Sequence, residues 1–318
     1  MSTTTRIAPN RPAQTRVAQS RPAVPRFRKD GTRRERPGRL VLPYLFLGAL
    51  VVYFLIPIWW LIVASTKDVG GLFNGTGGAL WFDKTFAFGS NLADLFSYNN
   101  GIYLRWLGNS LFYALAGGIG ATLLAVLAGY GFAKFRFGGR RFFFSLLLGS
   151  VMVPLTALVI PTFVLMSTLG LTDTIWAVIL PSLLNPFGVY LMQVYTSDAV
   201  TDELLDAARV DGAGEIRTFL QVAFPLLRPA FITVLLLSIV GCWNNYFLPL
   251  AMLSNSNLFP ITVGLGLWQG QASANNGGGH SLWGLIIIGS LVSVIPLIIA
   301  FLSLQKYWRG GLAIGSLK

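Results

Sequence analysis

The side chains that usually make or break bonds are scarce in this chain. There is one cysteine, Cys242, inside an apolar run, and one histidine, His280. That inventory supplies no internal disulfide, no Cys/His metal cluster and no Ser-His-Asp triad gathered in one pocket. No glycine is followed by lysine, so the phosphate-cradling loop G-x-x-x-x-G-K-[ST] is missing, and no soluble stretch is long enough for a nucleotide-binding domain. What the sequence offers is recognition. Charged residues gather between Thr201 and Arg228, and two amides, Asn244 and Asn245, follow Trp243 in an otherwise apolar run.

The charged segment reads as two short helices. Thr201 suits an N-cap, and Asp202 and Glu203 favour the positive end of a helix dipole. A helix over 201–210 would place Leu204, Leu205, Ala208 and Val210 on an apolar side, and Gly212 would stop it. A second helix is expected from about Ala213, with Ile216, Phe219, Leu220 and Ala223 at spacings of three and four. Pro225 and Pro229 are expected to end it. Asp206, Arg209, Asp211, Glu215 and Arg217 form the charged side, so the segment suits docking to a partner.

The elements that must position these groups are membrane helices. Hydrophobic residues make up 54% of the 318 and charged ones 11%, against about 25% charged in a soluble domain; mean hydropathy is +0.63. Too few polar side chains exist to cover a water-facing surface. Six apolar segments have the roughly 20 residues that a spanning helix needs: about 40–65, 106–131, 142–169, 174–195, 229–253 and 282–304. Pro154 and Pro161 predict kinks in the third. Ser254 to Asn257 and Asn275 to His280 separate the last two, with Ile261 to Trp268 between them as a helix too short to span.

None of the six segments contains Asp, Glu, Lys, Arg or His. Ion-coupled carriers usually place an ionisable group at mid-membrane, which argues against that class and for an energy source outside the chain. The net charge of +12 raises nucleic-acid binding, but 11 of the 24 Lys and Arg residues lie in the first 39 positions. Most others fall between apolar runs, a topology pattern and not a basic face. With both termini in the cytoplasm, the inner segments hold 21 of the 24 basic residues, and only Lys67, Lys84 and Arg105 lie outside. Residues 1–38, with arginine at every fifth position from Arg6 to Arg26, show neither helix nor strand period and read as a disordered cytoplasmic tail. The transmembrane domain is 39–318, with the charged inner loop at 197–228.

That loop resembles the signature of permease subunits of binding-protein-dependent ABC importers: Glu-Ala-Ala, three residues, Gly, nine residues, Ile, one residue, Leu-Pro. The matching positions are Asp206-Ala207-Ala208, Gly212, Val222, Phe224 and Pro225, and the longer sugar-permease form adds Asp211, Ala213 and Phe219. Asp206, Val222 and Phe224 depart from the usual Glu, Ile and Leu but keep their character. Trp106 to Ser110, Lys134 to Gly139, Trp243 to Pro249 and Gly310 to Lys318 also resemble the maltose-type subgroup.

The resemblance implies an all-α, six-span type I permease fold and a non-catalytic subunit that binds no cofactor itself. It implies ATP and Mg on a partner ATPase dimer, a second homologous permease, and an external binding protein that delivers a sugar. Glycerol phosphate is the alternative substrate, and an ion-coupled carrier the alternative class. The residues expected to meet the ATPase are Glu203, Asp206, Ala207, Ala208, Asp211, Gly212, Ala213, Phe219 and Pro225. Trp243, Asn244 and Asn245 could line the substrate path, or could hydrogen-bond helix to helix.

Overall fold

The computed structural model describes residues 37–74, 77–274 and 282–314. The arginine-spaced tail, the Asn275 to His280 break and the last four residues lie outside the described residues. The chain divides into two units, residues 1–53 and 54–318. The first is described over its helical residues 37–53, and the second contains every other element below.

Among the described residues, five helical segments are long and apolar enough to cross a membrane: Val41–Ser65, Phe88–Lys134, Trp176–Ala199, Glu215–Trp243 and Leu282–Gln305. The third expected crossing is a broken one. Helix α5 (Arg140–Val151) and helix α6 (Val159–Thr168), the latter led in by the 3-10 turn Leu155–Leu158, are bent by 102°. The break falls at Pro154. Pro161 stands in the first turn of α6, where its missing N–H costs no hydrogen bond. One of the two expected kinks is therefore a sharp bend and the other causes none.

The remaining elements are α1 (Pro37–Ser65), α2 (Val69–Asn74), α3 (Phe88–Ser97), α4 (Ile102–Lys134), α7 (Ile175–Ser182) and α8 (Pro186–Ala199). They are followed by α9 (Asp202–Val210), α10 (Glu215–Thr218), α11 (Phe224–Trp243), α12 (Phe247–Met252), α13 (Ile261–Ser273) and α14 (Leu282–Ile314). The 33-residue α4 is the central post, packed against α8 and α11. Small residues set how closely these helices approach. A Cβ on Gly118 would lie 2.7 Å from Ile239 Cγ1, and one on Gly129 would lie 2.5 Å from Met192 Cβ.

Two buried clusters lie along α4. Its first half joins Trp106, Tyr103 and Tyr113 to Trp243, Trp268 and Ile288. Its second half joins Ala125, Val126 and Tyr130 to Met192, Leu205, Ala223 and Leu227. Many large apolar side chains outside these clusters are exposed, including Leu123, Leu127, Val194 and Ile299, as expected where the solvent is lipid.

The stretch from Leu253 to Pro260 is not a free loop. Trp106 Nε1 donates to Ser256 O (2.8 Å), Asn109 Nδ2 to Asn257 O (2.8 Å) and Phe259 O (3.0 Å), and Tyr113 Oη to Leu258 O (2.9 Å). Ser110 Oγ accepts the Ile261 amide at 2.7 Å. From the other side, Asp173 Oδ1 accepts the amides of Ser254 and Asn255, both at 2.8 Å. Asp173 is itself held at φ +58. The helix expected over Ile261 to Trp268 extends to Ser273 and packs on α4 and α14 through buried Val263 and Trp268.

Two predictions follow from these contacts. Gly118→Val or Gly129→Val forces backbone apart and should cost about 1–3 kcal/mol, read as a lower Tm of the detergent-solubilised protein. The two amide hydrogen bonds hold the Asp173 carboxyl below the usual carboxylate range. Its stabilising contribution is complete above about pH 4, the unfolded carboxylate value, and is lost as pH falls through the lower folded value. Asp173→Ala should lower Tm at neutral pH and flatten that acid-side decline.

Candidate functional site

The charged segment forms a compact turn. Helix α9 ends in a Schellman motif: Gly212 at φ +79 donates to Arg209 O (3.0 Å), and Ala213 N donates to Ala208 O (2.9 Å). Thr201 holds the N-cap backbone conformation but makes no side-chain bond to a helix amide. Its hydroxyl reaches the Glu203 carboxylate, which is held below its ordinary range first by its own backbone amide and then by Thr201. Of the expected apolar side, Leu205 is buried (2% exposed) and Ala208 half-buried, whereas Val210 is 87% exposed and Leu204 also faces outward.

The second helix differs from expectation in start and end. It begins at Glu215, and neither Pro225 nor Pro229 stops it. Between them and α10 lies a π-type turn, Phe219–Ala223, in which the Phe224 amide donates to Phe219 O, five residues back. That widened turn shifts the register so that Pro225 enters at the start of α11, where no N–H is needed, and α11 continues to Trp243. The predicted stripe is split. Phe219 and Ala223 pack inward against Tyr130, while Ile216 (78% exposed) and Leu220 face outward.

Ion pairs fix the turn to itself and to α4. Arg209 bonds Asp206 (2.9 Å) and both Glu215 oxygens (2.9 and 3.3 Å), bracing α9 against α10. Asp206 is therefore already engaged within the loop. Lys134, nearly buried at the end of α4, bonds Asp202 at 2.8 Å. This hydrogen bond and charge hold the Asp202 carboxyl below its usual range. Sequence reasoning did not find the Lys134–Asp202 contact; only the basic residue opening the Lys134 to Gly139 motif hinted at it. Asp206, Ala207, Asp211 and Gly212 are exposed beside Val210, Ile216 and Leu220, a surface mixing charge, small residues and apolar side chains.

The second candidate group sits at the other buried cluster. Trp243, Asn244 and Asn245 are not inside a continuous helix as expected: α11 ends at Trp243, and α12 starts at Phe247. Trp243 is buried in the core, Asn244 is exposed, and Asn245 O accepts the Thr262 hydroxyl at 2.8 Å. Asn245 thus makes a helix-to-helix bond through its backbone. Tyr246, just beyond, lines a cavity of about 680 Å³ shared with α13 and α14.

Residues 121–309 match the family described as binding-protein-dependent transport system inner membrane component. The chain belongs to that family. It is 33% identical to the arabinooligosaccharides transport system permease protein AraQ of Bacillus subtilis, over 86% of this chain and 94% of that one. It is 31% identical to the lactose transport system permease protein LacG of Rhizobium radiobacter, over 90% of this chain and 98% of that one. Its fold matches, with a TM-score of 0.73 and 24% identity, a chain of a bacterial ABC transporter involved in import of the acidic polysaccharide alginate. That match covers 86% of this chain and 98% of the other. The permease is thus a multi-pass protein of the bacterial cytoplasmic membrane and a transport component, not a catalyst.

Gly212 is the position at which the α9 turn is most exposed to substitution. Gly212→Val places a β-branched residue at φ +79 and should cost about 1–2 kcal/mol; Gly212→Asn should cost less. Amide hydrogen exchange of residues 202–211 should rise in the first variant and change little in the second.

Proposed function

We propose that the permease forms one half of the pore of an ATP-driven sugar importer and receives its energy through the turn at 202–225. One observation carries this reading. The exposed α9 face is closed at its C-terminal end by the Gly212 turn, braced to α10 by Arg209, and α10 runs through the π turn into membrane helix α11. A push on that surface cannot be absorbed by a slack loop and must reach the membrane.

In this reading, the segment around 202–212 seats in a cleft of an ATPase subunit. Ala207, Ala208, Gly212 and Ala213 permit close approach, and Glu203 and Asp211 offer carboxylates. Asp206 presents a carboxylate already shared with Arg209, so it contributes shape and orientation to the turn as well as charge. Phe219 and Pro225 sit at the junction with α11. ATP and Mg belong to the ATPase pair, a second permease completes the pore, and an external binding protein delivers the cargo. The seven-to-one bias of basic residues supports cytoplasmic termini, placing this turn on the ATPase side. Sugars as cargo are supported by the named cargo of AraQ and LacG.

Purification of the tagged chain from its host in mild detergent tests the assembly. Mass spectrometry should find an ATPase chain, a second permease and a binding protein. Gly212→Trp and Asp206→Lys should each cut ATPase recovery at least tenfold while the two permeases still co-purify. A stable wild-type preparation that repeatedly lacks any ATPase would end this reading.

A further inference from the structure

The cavity beside the broken end of α11 has a chemistry of its own. It lies between α13, α14 and the Tyr246 break, and is lined by Tyr246, Thr262, Gln269, Ser273 and Ser290 together with glycine and aliphatic surface. It is an open groove rather than an enclosed cavity, with a volume of about 680 Å³. All its lining residues come from 229–305, a stretch with no Asp, Glu, Lys or Arg. A ligand there meets hydroxyls, one amide and one aromatic ring, and no fixed charge.

We infer that this groove is a contact site for a neutral, hydroxylated chain passing through the pore, with Tyr246 as its aromatic platform and Gln269 as its main hydrogen-bonding group. The inference rests on the importer reading above. Three features support it. First, the Tyr246 ring is set in place by a missing side chain: a Cβ on Gly266 would lie 2.8 Å from Tyr246 Cε2 and 2.9 Å from its hydroxyl. An aromatic face of this kind suits the apolar face of a sugar ring while its hydroxyl stays available.

Second, the Thr262 hydroxyl is spent on Asn245 O, and the Ser290 hydroxyl on Ile286 O. Gln269, by contrast, is exposed and forms no side-chain hydrogen bond among the described residues. Its amide can donate and accept at once, as vicinal hydroxyls do. Third, backbone outside a helix survives at membrane depth only when it is packed in protein or lines a water-filled cavity. The unwound Asn244 to Tyr246 segment does both: Thr262 satisfies one carbonyl, and Tyr246 faces the groove. The lack of any cation makes an anionic chain a poor fit.

The test uses the whole transporter in proteoliposomes with its binding protein, with lactose and arabinotriose as neutral probes and digalacturonate as the acidic one. Tyr246→Ala combined with Gln269→Ala should lower neutral sugar moved per ATP hydrolysed roughly tenfold, the scale of one aromatic contact and one hydrogen bond. Gln269→Arg should lower neutral transport and raise the ratio of digalacturonate to lactose. If the assembled double variant moves sugar as wild type does, the groove is not on the path. If either variant instead loses the second permease on purification, the groove is a subunit contact and the inference is overturned. A wild-type complex that moves none of the neutral probes with ATP sinks the importer reading itself, an outcome separable from the other two.

Discussion

A peptide group in hydrocarbon has no water to turn to, and this constraint shapes the whole permease. Continuous helices solve it for most of the chain. The interesting places are where helices stop, because each stop releases amides and carbonyls that another segment must satisfy. Between α7 and α8, Asn185 serves one such group: its Oδ1 accepts the Gly188 amide at 2.8 Å, and its Nδ2 donates to Ser238 Oγ of α11 at 2.9 Å. Between α12 and α13 the task is larger. Carbonyls from 256 to 259 are taken by Trp106, Asn109 and Tyr113, and amides at 254, 255 and 261 by Asp173 and Ser110. The same side chains that repair the backbone also fix α4 to α13, so satisfaction and packing are one event here.

This explains what could be read in the sequence and what could not. Six apolar runs and their order are local facts, and five became helices long enough to span while the third became a bent pair. The α9 turn was legible for the same reason, since acidic residues in the first turn, the apolar Leu205 and a terminating Gly212 lie within eleven positions. The purpose of Trp106 to Ser110 was not legible. Its residues resembled a family motif, but they serve carbonyls about 150 positions away, and no window of neighbouring residues reports that. The Lys134–Asp202 pair, 68 positions apart, escaped for the same reason. The end of α11 was misread because Trp243 to Pro249 is apolar enough to continue a span. Hydropathy registers composition and not the break at Asn244, where the Thr262 hydroxyl takes the Asn245 carbonyl.

The prolines show the same limit from another side. Pro225 and Pro229 look like stops because proline removes an amide and crowds the preceding turn. The π-type turn at Phe219–Ala223 removes the conflict by displacing the hydrogen-bond register just before Pro225. Pro229 then falls within α11, where the Thr233 hydroxyl donates to the Pro229 carbonyl at 3.0 Å. One extra residue in a turn lets Pro225 open α11, and the helix runs on through Pro229 to Trp243.

That helix joins two ends of opposite chemical character. At one end, α9 and α10 carry Asp202, Glu203, Asp206, Arg209, Asp211, Glu215 and Arg217 within sixteen positions, tied by ion pairs that hold shape in water. At the other, from residue 229 to 305, there is no Asp, Glu, Lys or Arg at all. Exposed ion pairs contribute little stability one by one, so the charged end gains definition chiefly by bracing a short turn that has only Leu205 as a fully buried anchor on α9. The charge-free end gains definition from buried aromatics, Trp106 against Trp268 at 4.8 Å and Trp243 beside them in the same core. Under the proposed importer reading, the charged end is gripped by another protein and needs stiffness and contrast. Under the same reading, the charge-free end meets a hydrophilic cargo that must leave again, and so needs hydrogen bonds without charges strong enough to trap it. Putting these on opposite ends of one stiff helix lets each be tuned without disturbing the other.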